Sequence, residues 1–507
     1  MNTEFRPAGQ PVGPAVAERE LAAARPAGPS AAVGRPAPGW LRDWTALAGP
    51  LATLVLMLWG LAARPFWGDE ADTISAVSRS LPQMLHLLGH VDAVHGLYYL
   101  LLWPVVRLTG PSEFAVRLPS ALAMAAAAGG VTAIARRLAS GQAGLYAGLV
   151  FAVLPTVTLQ GHDARPYALL TAAAVLASYL LIRAAQQPTG RWFAGYGLAV
   201  ALTGYLQLFG LLLLPAHAIA LALLTRDRRP ALRSWLVSVS VASLAVAPVA
   251  VLGWQQRAQI AWIPRPGWHD ASDLVSTLVA GPAAAALAIG LLGLLGALRG
   301  RELSWLAVPW LLLPPALLLA MSEIKPVYNG RYATYCLPAV ALLAGAGLAA
   351  LARPARIIAL AAVLSLIAPT LWAQRVPTGG MRSVAQFLQA EARPGDAIAY
   401  PGGAIPPWYL AYPDGFARLR DISLARTGPA LGHLYASTVP RPVLDRRERG
   451  VRRIWVVQTV PRQGPAGYLA LGFRLAHEWR LAGGATAVWL YTKGPAGGVT
   501  PGRARVL

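Results

Sequence analysis

Uncharged apolar runs recur through most of this chain, separated by short polar connectors that carry clusters of arginine. A helix needs roughly 20 residues to cross a bilayer, and the first run, Trp44 to Ala63, meets that length without a charge. Further runs without Asp, Glu, Lys or Arg are Ser120 to Ala135, Ala143 to Leu159, Tyr167 to Ile182, Trp192 to Leu224, Trp235 to Leu252, Leu274 to Leu298, Leu303 to Ala320, Ala333 to Leu351 and Ile357 to Leu371. The Trp192 run is long enough for two short spans, broken near Gln207 to Gly210. Counted so, the pattern predicts eleven crossings.

Arginine placement orients the spans, because cytoplasmic loops retain Lys and Arg. With the N-terminus inside, the inner connections carry Arg136-Arg137, Arg183 with Arg191, Arg226 to Arg229 with Arg233, Arg299 with Arg301, and Arg353 with Arg356. Every inner loop is then basic. This assignment requires the apolar stretch His95 to Thr109 to lie in the outer leaflet, within a long external loop from Arg64 to about Pro119. Counted as a span, it would turn all later basic clusters outward.

The flanks read differently. Residues 1–43, rich in Ala, Pro and Gly, cannot bury a core and predict a disordered cytoplasmic tail. After Trp372 the composition shifts: Arg382 to Glu391 predicts an amphipathic helix, Arg393 to Asp396 a turn, and Ala397 to Tyr400, Ile454 to Val457 and Ala487 to Tyr491 buried strands. Residues 374–493 therefore predict a small external α/β domain of about 120 residues, an ordinary size. Gly494 onward reads as a disordered tail.

Composition agrees with this class. Of 507 residues 56% are hydrophobic and 13% charged, with mean hydropathy +0.48, too little polar surface for a soluble globule. The net charge of +22 is distributed as topology signals between apolar runs rather than as one basic face, so nucleic acid is not the expected partner. The single cysteine, Cys336, excludes a disulfide framework and a cysteine metal site.

The external face then collects chemistry from distant parts of the sequence. Asp69, Glu70 and Asp72 follow the first span, and carboxylates at a span end need water, a partner or a role; a solvated loop capping the next helix is the competing reading. The turn Gln160 to Pro166 adds His162, Asp163 and Arg165, and the loop Ser322 to Arg331 adds Lys325, one of two lysines in the chain. Arg117, Arg165 and Arg331 at span ends have a bland alternative, snorkelling to the interface. His217, mid-span, reads as a hydrogen-bonded bundle histidine. Trp254 to Trp268 suits an interfacial belt and sugar stacking equally. Asp69, Glu70, His90, Asp92, His95, His162 and Asp163 supply ligand types without a dedicated metal spacing, so no metal is assigned and a divalent cation is left open.

A first span ending in Asp69-Glu70, a long external loop, Arg117-Leu118-Pro119 entering the next span, the turn Arg165-Pro166-Tyr167-Ala168-Leu169 and a late Arg331-Tyr332 together resemble the GT-C glycosyltransferases. The likeness runs from Trp44 to about Leu371 and is nearest to the bacterial dolichyl-phosphate-mannose protein mannosyltransferase and lipid A aminoarabinose transferase group. His95-Gly96-Leu97-Tyr98-Tyr99 meets that group's His-Pro-Pro-aromatic motif only in part, both prolines being absent. The resemblance implies an all-α polytopic GT-C bundle of about eleven spans, residues 44–373, carrying a small exocytoplasmic α/β domain. It also implies transfer of a sugar, mannose by likeness, from a polyprenyl-phosphate carrier to an envelope protein, lipid or glycan at the outer face.

In that chemistry a base takes the acceptor hydroxyl's proton and cations hold the departing phosphate. The resemblance places Asp69 as base with Glu70 and Asp163 completing the acidic site, Arg165, Lys325 and Arg331 on the donor phosphate, and His95, His162, Tyr167 and Tyr328 on acceptor or sugar. Two other classes compete: a transporter or lipid-linked-sugar flippase, which would place charges and broken helices at mid-bilayer, and a noncatalytic envelope scaffold.

Overall fold

The computed structural model describes residues 44–225, 227–267, 274–275, 277–400, 404–459, 472–481, 486–493 and 505–506. The N-terminal tail expected at 1–43 and most of the segment from Gly494 lie outside them. From Thr45 onward the chain forms one compact unit.

The apolar runs become helices: α1 Trp44–Leu58, then α2 Gly68–Val77, α3 Leu81–Leu88 and α4 Gly96–Thr109 in the long loop, then α5 Glu113–Leu138, α6 Gly141–Val153, α7 Pro155–Gly161, α8 Tyr167–Gln186, α9 Gly190–Leu206, α10 Leu214–Leu224, α11 Arg228–Gln255, α12 Ala283–Arg299, α13 Arg301–Ile324, α14 Leu337–Ala350 and α15 Arg353–Ala373. Among the described residues, six helices are long and apolar enough to cross a membrane, seven if α6 and α7 are one span bent by 63°. Two breaks have local causes. Leu154 is extended because Pro155 disfavours a helical residue before it. Gln207 is extended as well, and a 3₁₀ stretch Leu208–Leu213 links α9 to α10, at the place the sequence suggests. The run expected from Leu274 is helical at 274–275 and 277–279, breaks at 280–282 and resumes as α12 at Ala283, after Pro282.

Within a bilayer, helices associate by close packing rather than by escape from water. Gly296 on α12 and Gly347 on α14 show why small residues recur: a Cβ on either would lie 2.0 Å or less from a carbonyl oxygen of the facing helix. The shared core buries Trp310, Tyr196, Tyr335 and Phe151 completely, while Leu236, Val241 and Leu244 of α11 and Leu287, Leu291 and Leu298 of α12 face outward. His217 is bonded by Ser178 at 2.9 Å and Tyr196 at 3.0 Å, as a bundle histidine should be.

The 14 residues of α4 span about 21 Å at 1.5 Å per residue, short of the ~30 Å hydrocarbon layer. In the C-terminal region α16 Met381–Glu391 precedes β1 Ala397–Ala399, β2 Ala404–Ile405, β3 Arg420–Asp421, β4 Leu424–Arg426, β5 Ala436–Thr438, α17 Arg441–Arg449, β6 Arg453–Thr459, β7 Arg474–Leu481, β8 Thr486–Thr492 and β9 Arg505–Val506. One sheet has the order β3-β1-β6-β8-β7-β9 and the other β2-β5-β4. The residues from Gly494 thus include a two-residue strand, where the sequence suggested only a tail. Alternation puts Trp455, Val457 and Val488 in one core under α16 and Ile454, Val456 and Trp489 in another.

This region is pinned to the long loop. Tyr412 donates to Glu113 at 2.8 Å and accepts from the Phe66 amide at 2.7 Å, and Arg382 pairs with Glu113 at 2.7 Å. Arg375, buried, donates to carbonyls of Leu56, Trp59 and Leu371, so one guanidinium satisfies the ends of both α1 and α15.

Candidate active site

Asp69 and Glu70 occupy the first turn of α2, where backbone amides favour carboxylates. Consecutive helical residues lie about 100° apart, so the two side chains take different directions. Glu70 points inward and is fully buried. Arg117 grips it with two hydrogen bonds of 2.7 and 2.6 Å, and the Ala164 and Trp67 amides donate to it at 2.9 and 3.3 Å. Arg117 also donates to the carbonyls of Leu61, Arg64 and Pro65. The snorkelling alternative for Arg117 is thereby corrected: the residue is 2% exposed and ties α5 to the end of α1 and the start of α2. Both oxygens of Glu70, grouped with the catalytic carboxylates by resemblance, already accept hydrogen bonds.

Asp69 points the other way. It forms a 2.9 Å ion pair with Arg331, the two side chains being 35% and 31% exposed. The Arg331 guanidinium lies 4.8 Å over the Trp67 ring, and the Trp67 indole donates to Asp163 at 3.0 Å. Arg165, buried, donates to His95 Nε2 at 3.1 Å and to the Asp69 carbonyl at 3.4 Å. His95 Nδ1 stands 3.6 Å from Asp92, which accepts from Tyr99 at 2.7 Å. Three sequence-distant segments therefore meet: the start of α2, the turn after α7 and the turn before α14.

Two cavities adjoin this cluster. One, of about 790 Å³, is lined by Trp67, Arg117, His162, Asp163, Arg331 and Trp408 among others. The second, of about 530 Å³, is lined by Asp69, Asp72, His95, Arg165, Tyr167, Arg331 and Tyr332, with Tyr435 of the C-terminal region. Arg331 lines both, and Tyr332 stacks on Phe209 at 5.3 Å in the second.

Burial sets the protonation of the neighbouring groups. Burial, reinforced by the Glu70 charge, pushes Asp163 up to about 7 against the Trp67 hydrogen bond and the charges of Arg165 and Arg331. Burial, aided by Asp92 and Asp69, likewise lifts Asp72 to about 7 against Arg165 and its hydrogen bond from Tyr435. His162 is lowered to about 4, mainly by burial, and bonds the Met57 carbonyl at 2.7 Å. His95 is lowered by burial and by Arg165.

The remaining expected residues lie apart. Lys325 sits 4.9 Å over the Trp254 ring and lines a third cavity of about 380 Å³, not the cluster of Arg165 and Arg331. Tyr328 packs in an apolar group with Leu318 and Val327. His90 bonds the His86 carbonyl at 2.8 Å, away from the carboxylates. Among the described residues no three His, Cys, Asp or Glu side chains gather so as to hold a metal ion. Trp262 lines the second cavity, while Trp268 lies outside the described residues. Trp67 and Tyr435 were given no place in the sequence reading, and Tyr332 entered it only as part of the motif Arg331-Tyr332; Trp67 adjoins the acidic pair, but nothing in the sequence marks Tyr435.

Residues 97–254, a little under a third of the chain, match the family model described as dolichyl-phosphate-mannose-protein mannosyltransferase. No curated protein matches in sequence. The fold is similar to that of ArnT from Cupriavidus metallidurans in the apo state, at 14% identity and a TM-score of 0.61, covering 89% of this chain and 98% of that one. It is also similar to ArnT from the same organism bound to undecaprenyl phosphate, at 15% identity, a TM-score of 0.58 and the same coverage, 89% and 98%. A weaker likeness, TM-score 0.48 at 12% identity, covers 86% of this chain and 72% of an oligosaccharyltransferase from Archaeoglobus fulgidus. Family model and fold together support a GT-C glycosyltransferase.

Proposed function

We propose that this chain, a multi-pass membrane protein of the GT-C glycosyltransferase fold, moves a sugar from a polyprenyl-phosphate carrier to an envelope acceptor at the outer face of the membrane. The reading includes eleven crossings, a cytoplasmic N-terminus and an extracytoplasmic domain at 374–493. Mannose as the sugar rests on the family match alone.

The observation that carries the reading is the Asp69–Arg331 pair, with Asp69 lining the second cavity and Arg331 lining both. The second cavity, with Arg165 and Arg331, suits the donor phosphate, since guanidinium groups bind oxyanions in bidentate fashion. The first cavity, with Asp163, His162 and two tryptophans, suits the acceptor. With about a third of each side chain exposed, the ion pair is exchangeable. An arriving phosphate takes Arg331 and leaves Asp69 free as base. The acceptor oxygen then bonds to the anomeric carbon, the bond from that carbon to phosphate oxygen breaks, Asp69 takes the hydroxyl proton, and the carrier phosphate leaves with the negative charge held by the arginines. Glu70 and Arg117 hold α2 in place. His95 and Tyr167 line the donor side and His162 the acceptor side; Lys325 and Tyr328 have no role here.

The transporter alternative is not favoured, because the titratable cluster lies at the helix ends rather than midway along the spans. Asp69→Asn in proteoliposomes, assayed with radiolabelled polyprenyl-phosphate mannose, separates the classes. Lost transfer at normal expression supports the enzyme. Unchanged transfer removes Asp69 as base, and donor crossing the bilayer without covalent product would restore the transporter.

A further inference from the structure

Asp72 stands one turn beyond Asp69 on α2, on the same face, and lines the second cavity. Its two oxygens are used unequally: Oδ2 accepts the Tyr435 hydroxyl at 3.1 Å, while Oδ1 is buried without a partner. A buried carboxylate oxygen left unpaired is costly, and such atoms concentrate where a ligand completes the bonding. Arg165 and Asp92 are its principal charged neighbours, with Asp69.

Tyr435 is held in place through its neighbours in the chain. The segment carrying it is clamped to α2, with the Ser75 hydroxyl donating to the Leu434 carbonyl at 2.7 Å and Arg79 donating to the His433 carbonyl. The Tyr435 amide also donates to His433 Nδ1 at 3.2 Å. The C-terminal region thus supplies a cavity wall at a set position. Because the Tyr435 hydroxyl spends its proton on Asp72, its lone pairs remain free to accept.

We infer that Asp72 Oδ1 and the Tyr435 hydroxyl form a hydroxyl-reading pair that recognises the sugar of the donor, making the C-terminal region part of donor selection. This rests on the reading of the second cavity as the donor site. The geometry suits a polyol better than the carrier phosphate: Asp72 repels an oxyanion, whereas sugar hydroxyls donate to both atoms. A site built to bond hydroxyls discriminates strongly, since a ligand lacking one leaves the buried group unpaired.

The test compares binding of undecaprenyl-phosphate mannose, undecaprenyl-phosphate glucose, undecaprenyl-phosphate arabinose and bare undecaprenyl phosphate to the full-length chain in nanodiscs by native mass spectrometry. Parent protein should prefer at least one sugar-bearing carrier over the bare one. Tyr435→Phe and Asp72→Asn should each shrink that preference about tenfold, Tyr435→Phe at unchanged affinity for bare carrier and Asp72→Asn at an affinity for it no lower than the parent's. Equal loss for all ligands, or an unchanged preference, overturns the inference. A parent that binds none of the four carriers refutes the donor-site reading itself. Should Asp72→Asn fail to fold, Tyr435→Phe alone decides, since it removes one hydroxyl and keeps the ring.

Discussion

Two adjacent carboxylates should fail in opposite ways, and that contrast tests the site directly. Glu70 is buried and accepts four hydrogen bonds, two from Arg117. Glu70→Gln leaves the Arg117 cation inside with carbonyl partners only, and breaking a buried pair costs about 3–5 kcal/mol. For a chain of this size that corresponds to an apparent Tm lowered by roughly 3–5 °C. Asp69→Asn removes one side of a pair about a third exposed, worth within about 1 kcal/mol after solvent screening. Its effect should fall on turnover instead, about 10²–10⁴-fold, the range for loss of a general base. Both variants are followed in detergent by thermal unfolding with size-exclusion readout, and in proteoliposomes by transfer from a labelled polyprenyl-phosphate sugar. If Asp69→Asn unfolds as early as Glu70→Gln, or if Glu70→Gln keeps the parent's Tm, the division into base and anchor is wrong.

Three further outcomes follow from the same geometry. Asp163 has its pKa raised to about 7 in the folded chain, above the ordinary carboxylate value, so the native state holds a proton the unfolded state has released; stability is fully present below about pH 4 and declines as pH rises through 7. Thermal unfolding across this window should show that slope in the parent and a shallower one in Asp163→Asn, with the variant gaining stability at pH 8. Arg331→Met should raise KM for the polyprenyl-phosphate sugar about 10–100-fold by removing a charge-assisted bond, and equal KM values would argue against phosphate binding there. Tyr412→Phe removes a hydroxyl that donates to Glu113 and accepts from Phe66, costing about 1–2 kcal/mol; faster limited proteolysis between the bundle and α16 is the expected readout.

Much was legible in the chain alone. Runs of uncharged residues marked the helices because hydrocarbon admits only backbone that bonds to itself, and the break at Gln207 falls where composition flagged it, whereas the bend at Pro155 lies inside a run that reads as one span. The short continuous apolar runs Ile454 to Val457 and Ala487 to Tyr491 marked buried strands, and both of their faces do pack against apolar layers. The acidic pair, the turn Gln160 to Pro166 and Arg331 could be named because charged residues at span ends are few. What the order of residues could not convey was direction. Asp69 and Glu70 look alike in sequence, yet a 100° step sends one to a cavity and the other into a buried pair with Arg117. Arg117, Arg165 and Arg331 all sit at helix ends, and only the packing of α2 against the turns before α8 and α14 decides which is scaffold and which faces a cavity. Lys325 was singled out by its rarity and lies elsewhere, since rarity carries no coordinates. Tyr435 reaches Asp72 across 363 positions, a contact that exists only because the C-terminal region folds back onto the long loop between α1 and α5.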